Sequence, residues 1–146
     1  MSSERFLIRA AVYLMLLKDN KILLARRFNT GWMDGKYSLV AGHIEVNESV
    51  SQTMIREAQE EASIKIKKSD LEPATVIHRK YPGQEYIDFF FICKKWIGSP
   101  TIQEPEKCDD MSWFSLDNLP ENLLPYIREA LNNYQNKIAF SETGWD

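Results

Sequence analysis

Glu57, Glu60 and Glu61 stand at i, i+3 and i+4, so a helix carrying them presents all three carboxylates on one face. Like charges at this spacing destabilise an isolated helix by ~0.2–0.5 kcal/mol per pair. A chain that keeps them is expected to neutralise them with a cation. Magnesium suits the task, because it is a hard ion that prefers carboxylate oxygens, keeps several waters and bridges to phosphates. Arg56, the neighbour of Glu57, carries a fork able to hold a carboxylate in place. A glycine-bearing turn ahead of the helix lets backbone groups approach a metal or phosphate closely. Alone, Glu-x-x-Glu-Glu is ordinarily a solvated acidic face.

The elements that must position these acids are legible as periodicity. Asn47–Ala62 reads as the helix: Asn47 or Ser49 caps it, Ser49-x-x-Gln52 fits a capping box, and Val50, Met54, Ala58 and Ala62 form a buried stripe. Phe6–Leu17 and Lys21–Phe28 read as a strand hairpin around Lys18-Asp19-Asn20, and Asn29–Lys36 as a loop. Tyr37–Val40 reads as one short strand. Thr75–Tyr81 and Tyr86–Trp96 form a second hairpin, Ile97–Asp110 a polar loop, and Met111–Phe114 a short strand. Pro120–Tyr134 reads as a second helix with Leu123, Leu124, Ile127 and Leu131 as its apolar face; Phe140–Asp146 has no clear pattern. This order predicts an α/β fold, a mixed β-sheet sandwiched between α-helices, in one domain over residues 1–146.

The stretch from Gly42 to Ile64 resembles the Nudix box: Gly, five residues, Glu, seven residues, then Arg-Glu-apolar-x-Glu-Glu-x-Gly-apolar. Gly42, Glu48, Arg56, Glu57, Glu60, Glu61 and Ile64 fall in register. The resemblance extends through Gly31–Leu39 before the box and Glu104–Phe114 after it. Ser63 replaces the family's glycine past the helix, where a left-handed conformation costs other residues ~1–2 kcal/mol. Val40-Ala41 replaces a frequent Pro-Gly.

The resemblance implies that Glu57, Glu60 and Glu61 bind Mg2+ (or Mn2+), that the Ala41 carbonyl adds a ligand, that Arg56 orients Glu57, and that Glu48 supports the cluster. It implies a MutT-like hydrolase cutting a diphosphate linkage, first of all a nucleoside triphosphate to monophosphate plus pyrophosphate. The alternatives are a nucleoside diphosphate linked to a sugar or second nucleoside, or a non-hydrolytic nucleotide sensor. A loop acid is expected to take a proton, with Glu106 first and Glu104, Asp109 and Asp110 as rivals.

Substrate selection is thinner. Arg26 and Arg27 end a strand and offer phosphate contacts, with strand alternation allowing only one to face the site. Trp32, Tyr81 and Phe91 offer stacking surfaces, although aromatics in strands more often fill core, as expected for Trp113. Cys93 reads as a small buried hydrophobe, and His43 and His78 as strand or surface residues. The net charge of −3 argues against a grip on DNA or RNA duplex, which needs a basic stripe. With 44% apolar and 27% charged residues the chain has an ordinary globular balance, and no stretch is long and apolar enough to suggest a membrane partner. Two cysteines without a Cys-x-x-Cys pair point to a reducing cytoplasm and against structural zinc. The expected partner is a small nucleotide or related diphosphate, bound by a monomer or homodimer.

Overall fold

The computed structural model describes residues 4–145. Among them, β1 (Arg9–Lys18), β2 (Lys21–Arg27), β3 (Tyr37–Ser38) and β4 (Val40–His43) precede α1 (Val50–Ala62). Then come β5 (Leu71–Tyr81), β6 (Gln84–Cys93), β7 (Cys108–Ser115), α2 (Pro125–Gln135) and β8 (Phe140–Thr143). The strands form a mixed sheet in the order β3-β2-β1-β6-β5-β8, with β4 beside β1 and β7 beside β2. The β1–β2 turn places Asp19 and Asn20 at φ 51° and 60°, the pair of left-handed residues that a tight hairpin requires.

β1 is buried on both faces, which is why it reads as a continuous apolar run. Tyr13, Met15 and Leu17 pack into one core with Ile127, Ala130 and Leu131 of α2. Val12, Leu14 and Leu16 pack into the other with Met54, Ala58 and Ala62 of α1. Thus the two helices cover opposite faces, the layered arrangement expected from the sequence.

Several boundaries differ from expectation. β1 begins at Arg9, and Phe6 and Leu7 lie exposed. The expected strand Tyr37–Val40 is two strands: β3 pairs with β2, while β4 pairs with β1. The chain changes partner at Leu39, and the divergence opens a cleft beside β4. α2 starts at Pro125, whose fixed φ suits the first helical turn. Leu123 and Leu124 stay buried but precede the helix, held by the Leu124 amide donating to Tyr37 O (3.0 Å). The tail Phe140–Thr143 adds a parallel edge strand to β5.

α1 has the expected capping box: Ser49 accepts from the Gln52 amide, and the Gln52 side chain accepts from the Ser49 amide. At its other end Ser63 is left-handed, φ 57° and ψ 35°, in the place where glycine is favoured. Ser63→Gly should therefore raise stability by about 1 kcal/mol, since relief of the left-handed strain exceeds glycine's entropy cost. Chemical denaturation checks this; an unchanged midpoint would show that the turn carries no strain.

Candidate functional site

The acidic helix face is organised by one arginine. Arg56 donates from Nε and Nη2 to the two oxygens of Glu48 (2.7 and 3.0 Å), a bidentate pair. Thr53 also donates to Glu48 Oε1 (2.7 Å). The Arg56 and Thr53 hydrogen bonds hold the Glu48 carboxyl well below its ordinary range, at about 2. Arg56 Nη1 then reaches Glu57 Oε1 (2.7 Å) and Glu60 Oε2 (3.1 Å). Glu48 is thus the brace that fixes Arg56, and Arg56 is the brace between Glu57 and Glu60.

β4 closes the other side. A Cβ on Gly42 would sit 2.2 Å from Glu57 Cδ and 2.4 Å from its Cγ, so the Glu57 side chain occupies space that only glycine leaves open. Ala41 donates its amide to Glu61 Oε1 (2.9 Å). Its partner on β1 is Tyr13, and the neighbouring bond from the Ile44 amide to Ala10 O (3.1 Å) fixes the alternation. Ala41 is therefore at a non-hydrogen-bonded position, with both its N–H and its C=O turned away from β1. Both groups face the side where Glu61 stands.

Glu57, Glu60 and Glu61 line a cleft of about 780 Å³, together with Ala41 and Gly42. Burial pushes the Glu61 carboxyl up to about 8, against the pull of the Ala41 amide. Burial also raises Glu57, partly offset by Arg56. Bringing a cation to these groups would reverse that logic and favour both charged forms. Among the described residues, no three His, Cys, Asp or Glu side chains are already gathered into a cage. Yet Glu57 Oε2, Glu60 Oε1 and Glu61 Oε2 accept no hydrogen bond there. Oxygen-only donors with spare lone pairs and an open cleft for water fit a magnesium-type ion, which needs few direct protein ligands.

The loop acids fall out differently from the order the sequence suggests. Glu104 lines the cleft and its charge acts on both Glu57 and Glu61, whereas Glu106 is exposed and lies outside the lining. The reason is the turn Glu104–Lys107, in which the Lys107 amide folds back onto Glu104 O (2.9 Å). Asp109 is paired with Arg26 (2.7 Å), and Asp110 accepts from Tyr37 Oη and Ser112 Oγ. Arg26 and Arg27 both border the cleft, at the point where the pairing of β2 with β7 slips past Asp109. Arg27 is tied to the following loop through Trp32 O (2.7 Å) and Thr30 Oγ1 (2.9 Å), with its guanidinium over the Trp32 ring.

Among the aromatics, Trp32 and Tyr81 border the cleft, but Phe91 is core. Trp113 is part-buried and stacks on Trp96. Cys93 is buried as expected; His43 reaches the cleft rim. Sequence reasoning missed the other end of the cleft, built from Arg79, Tyr86, Tyr13 and Tyr126. Arg79 donates to Asp88 Oδ2 (2.7 Å) in a buried ion pair. The available signal was Asp88 itself, a lone charge inside the run Tyr86–Cys93.

A family model described as NUDIX domain matches residues 7–134. An NAD-capped RNA hydrolase NudC of Stutzerimonas stutzeri is 29% identical over 127 residues, covering 85% of this chain and 41% of that protein. One from Shigella dysenteriae is 30% identical over 118 residues, covering 81% of this chain and 42% of that protein. The chain thus spans about two-fifths of the length of these curated relatives. Among solved structures, the MutT NUDIX hydrolase from Burkholderia pseudomallei superposes with a TM-score of 0.81 at 25% identity, covering 87% of this chain and 98% of that one. With the family model spanning most of its length and the box glutamates on one helix beside a glycine-bearing strand, this chain belongs to the Nudix family.

Proposed function

We propose that this chain hydrolyses a diphosphate linkage in a nucleotide, using Mg2+ with Mn2+ as a substitute. The observation that carries the reading is spatial: Glu57, Glu60 and Glu61 line one cleft wall, facing a strand whose Ala41 backbone groups are turned toward them. In this reading those three carboxylates and the Ala41 carbonyl hold the ions. Bound there, the ions supply Lewis-acid polarisation of phosphoryl oxygens and a lowered pKa for the attacking water. Arg56 keeps Glu57 and Glu60 in position, and Glu48 keeps Arg56 in position. Glu104, at the cleft edge, accepts the proton of the attacking water. Arg26 and Arg27 border the same space and offer charge to the phosphates.

The first reading of the substrate is a nucleoside triphosphate cut to monophosphate and pyrophosphate. The second is a nucleoside diphosphate joined to another group, favoured by relatives named as hydrolases of NAD-capped RNA. Those names describe a substrate that carries an RNA chain, a partial exception to the expectation of a small-molecule partner alone. A cytoplasmic setting belongs to the same reading, with Cys93 and Cys108 unpaired among the described residues. No helix among those residues is long and apolar enough to cross a membrane.

A panel of nucleotides and dinucleotides incubated with magnesium in oxygen-18 water tests the reaction, with phosphorus products followed by mass spectrometry. Label in monophosphate or pyrophosphate, no early orthophosphate, and loss of turnover in chelator are expected. Early orthophosphate with accumulating nucleoside diphosphate would replace this reaction with stepwise phosphatase chemistry. Within the loop, Glu104→Gln should slow turnover by at least about tenfold, as loss of a proton acceptor does, while Glu106→Gln stays near the parent rate. Equal small effects in steady-state kinetics would place the base on the helix.

A further inference from the structure

The end of the cleft away from the carboxylates is built around a buried arginine that is only partly used. The Arg79 side chain is 7% exposed and Asp88 is fully buried. A guanidinium is a flat group with five donors. Its two faces here are covered by Tyr86 and Tyr126, whose ring centres lie 4.3 and 4.1 Å from Arg79 Cζ. Nε and Nη2 donate to Asp88 (2.7 and 3.4 Å), and Nη2 also reaches Tyr13 Oη (3.3 Å). The Tyr81 phenol also lies close enough to act on the guanidinium as a hydrogen-bond partner, while Nη1 makes no hydrogen bond of ordinary length among the described residues and is not sealed from solvent. Arg79 lines the cleft, and Nη1 is its one nitrogen without a hydrogen bond of ordinary length, so it is the donor left for a ligand there.

Two features decide what that edge accepts. Asp88 already balances the arginine's charge, so the exposed edge offers hydrogen bonds more than net charge and suits a neutral acceptor better than a phosphate. The surrounding wall is aromatic: Tyr81 and Tyr86 lie nearly parallel (16°) with centres 6.0 Å apart. Such a wall takes a planar ring. β1 and β6 separate β4 from β5, so roughly 14 Å lies between the strand of Ala41 and the strand of Arg79. That leaves room for a sugar between a diphosphate at one end and a ring at the other.

We propose that Arg79 is a specificity-determining residue, its Nη1 edge donating to the exocyclic carbonyl oxygen of a heterocycle held against Tyr81 and Tyr86. The inference rests on reading the cleft as a nucleotide site. It selects oxo-bases such as hypoxanthine over adenine, whose amino group would point a donor at a donor. Breaking such a pairing in a buried site costs at least about tenfold in affinity.

The test is binding, so that it stands apart from turnover. Calorimetric titration of the full chain with IMP and with AMP should give at least about tenfold tighter binding for IMP. Arg79→Lys keeps a positive charge for Asp88 but loses the planar fork, and should bring the two affinities within about twofold. Arg79→Met/Asp88→Leu removes the ion pair without stranding either charge, and guards against a lysine variant that does not fold. Equal binding of IMP and AMP by the parent chain, or a preference that survives in a folded variant, would overturn the proposal. A preference dependent on Arg79, in a chain that hydrolyses nothing with magnesium, would sustain it and overturn the hydrolase reading instead.

Discussion

Glu61→Gln is expected to lower turnover by at least about a hundredfold while making the metal-free protein more heat-stable at pH 8. The two effects share one cause. Glu61 is held among protein atoms at the cleft wall, and its carboxyl is pushed up to about 8 from an ordinary 4.5, with burial the largest contributor. Between those values the folded chain retains a proton that the unfolded chain has released. Stability of the metal-free chain contributed by this group is therefore lost as pH rises from about 4.5 toward 8. Glutamine keeps an oxygen for the Ala41 amide but carries no charge, so it escapes that loss. The same change removes a charge proposed to hold the ions, and losing one main electrostatic contributor typically costs 10²–10³ in rate. Thermal melts with and without magnesium, beside kinetics, read both. Magnesium should raise the melting temperature of the parent more than that of the variant. Full turnover together with an unchanged melt would mean that the acidic face is merely solvated.

Gly42→Ala should be nearly as damaging to turnover and nearly silent in stability. The added Cβ falls 2.2 Å from Glu57 Cδ, and one of the two must move. The mobile party is the end of a glutamate side chain, which rotates at little cost to folding. What it loses is its place: Glu57 leaves Arg56 Nη1, now 2.7 Å away, and the spacing among the three carboxylates changes. A displacement of about 1 Å in a positioned group can cost about a hundredfold. Kinetics and a denaturation midpoint on the same preparation separate the two quantities. A variant with normal rates would show that the position of Glu57 is not critical.

What the sequence made legible was local. Ser49 and Gln52 are three residues apart, Glu57, Glu60 and Glu61 lie within two turns of helix, and both patterns are settled by 3.6-residue geometry. The left-handed Ser63 was likewise readable from its place past the helix. Features that depend on distant partners were not. Nothing within Tyr37–Val40 announces that Leu39 separates a strand paired with β2 from one paired with β1. Glu104 and Glu106 are two residues apart in a polar loop, and only the folded turn decides which meets the cleft. Phe140–Thr143 is too short an edge strand for alternation to stand out. Arg79 and Asp88 were closer to legible, since a tight turn at Pro82-Gly83 fixes the register that brings them onto one face.

The Ala41 amide has a further consequence. Its proton is held by a carboxylate on a neighbouring helix, where a strand amide would ordinarily be held by another strand's carbonyl. Its resonance in a nitrogen–proton spectrum therefore senses the ionisation of Glu61 directly. Titrating acid or a divalent ion while watching that single peak turns one backbone bond into a native, label-light sensor of the cleft's charge state, independent of any substrate.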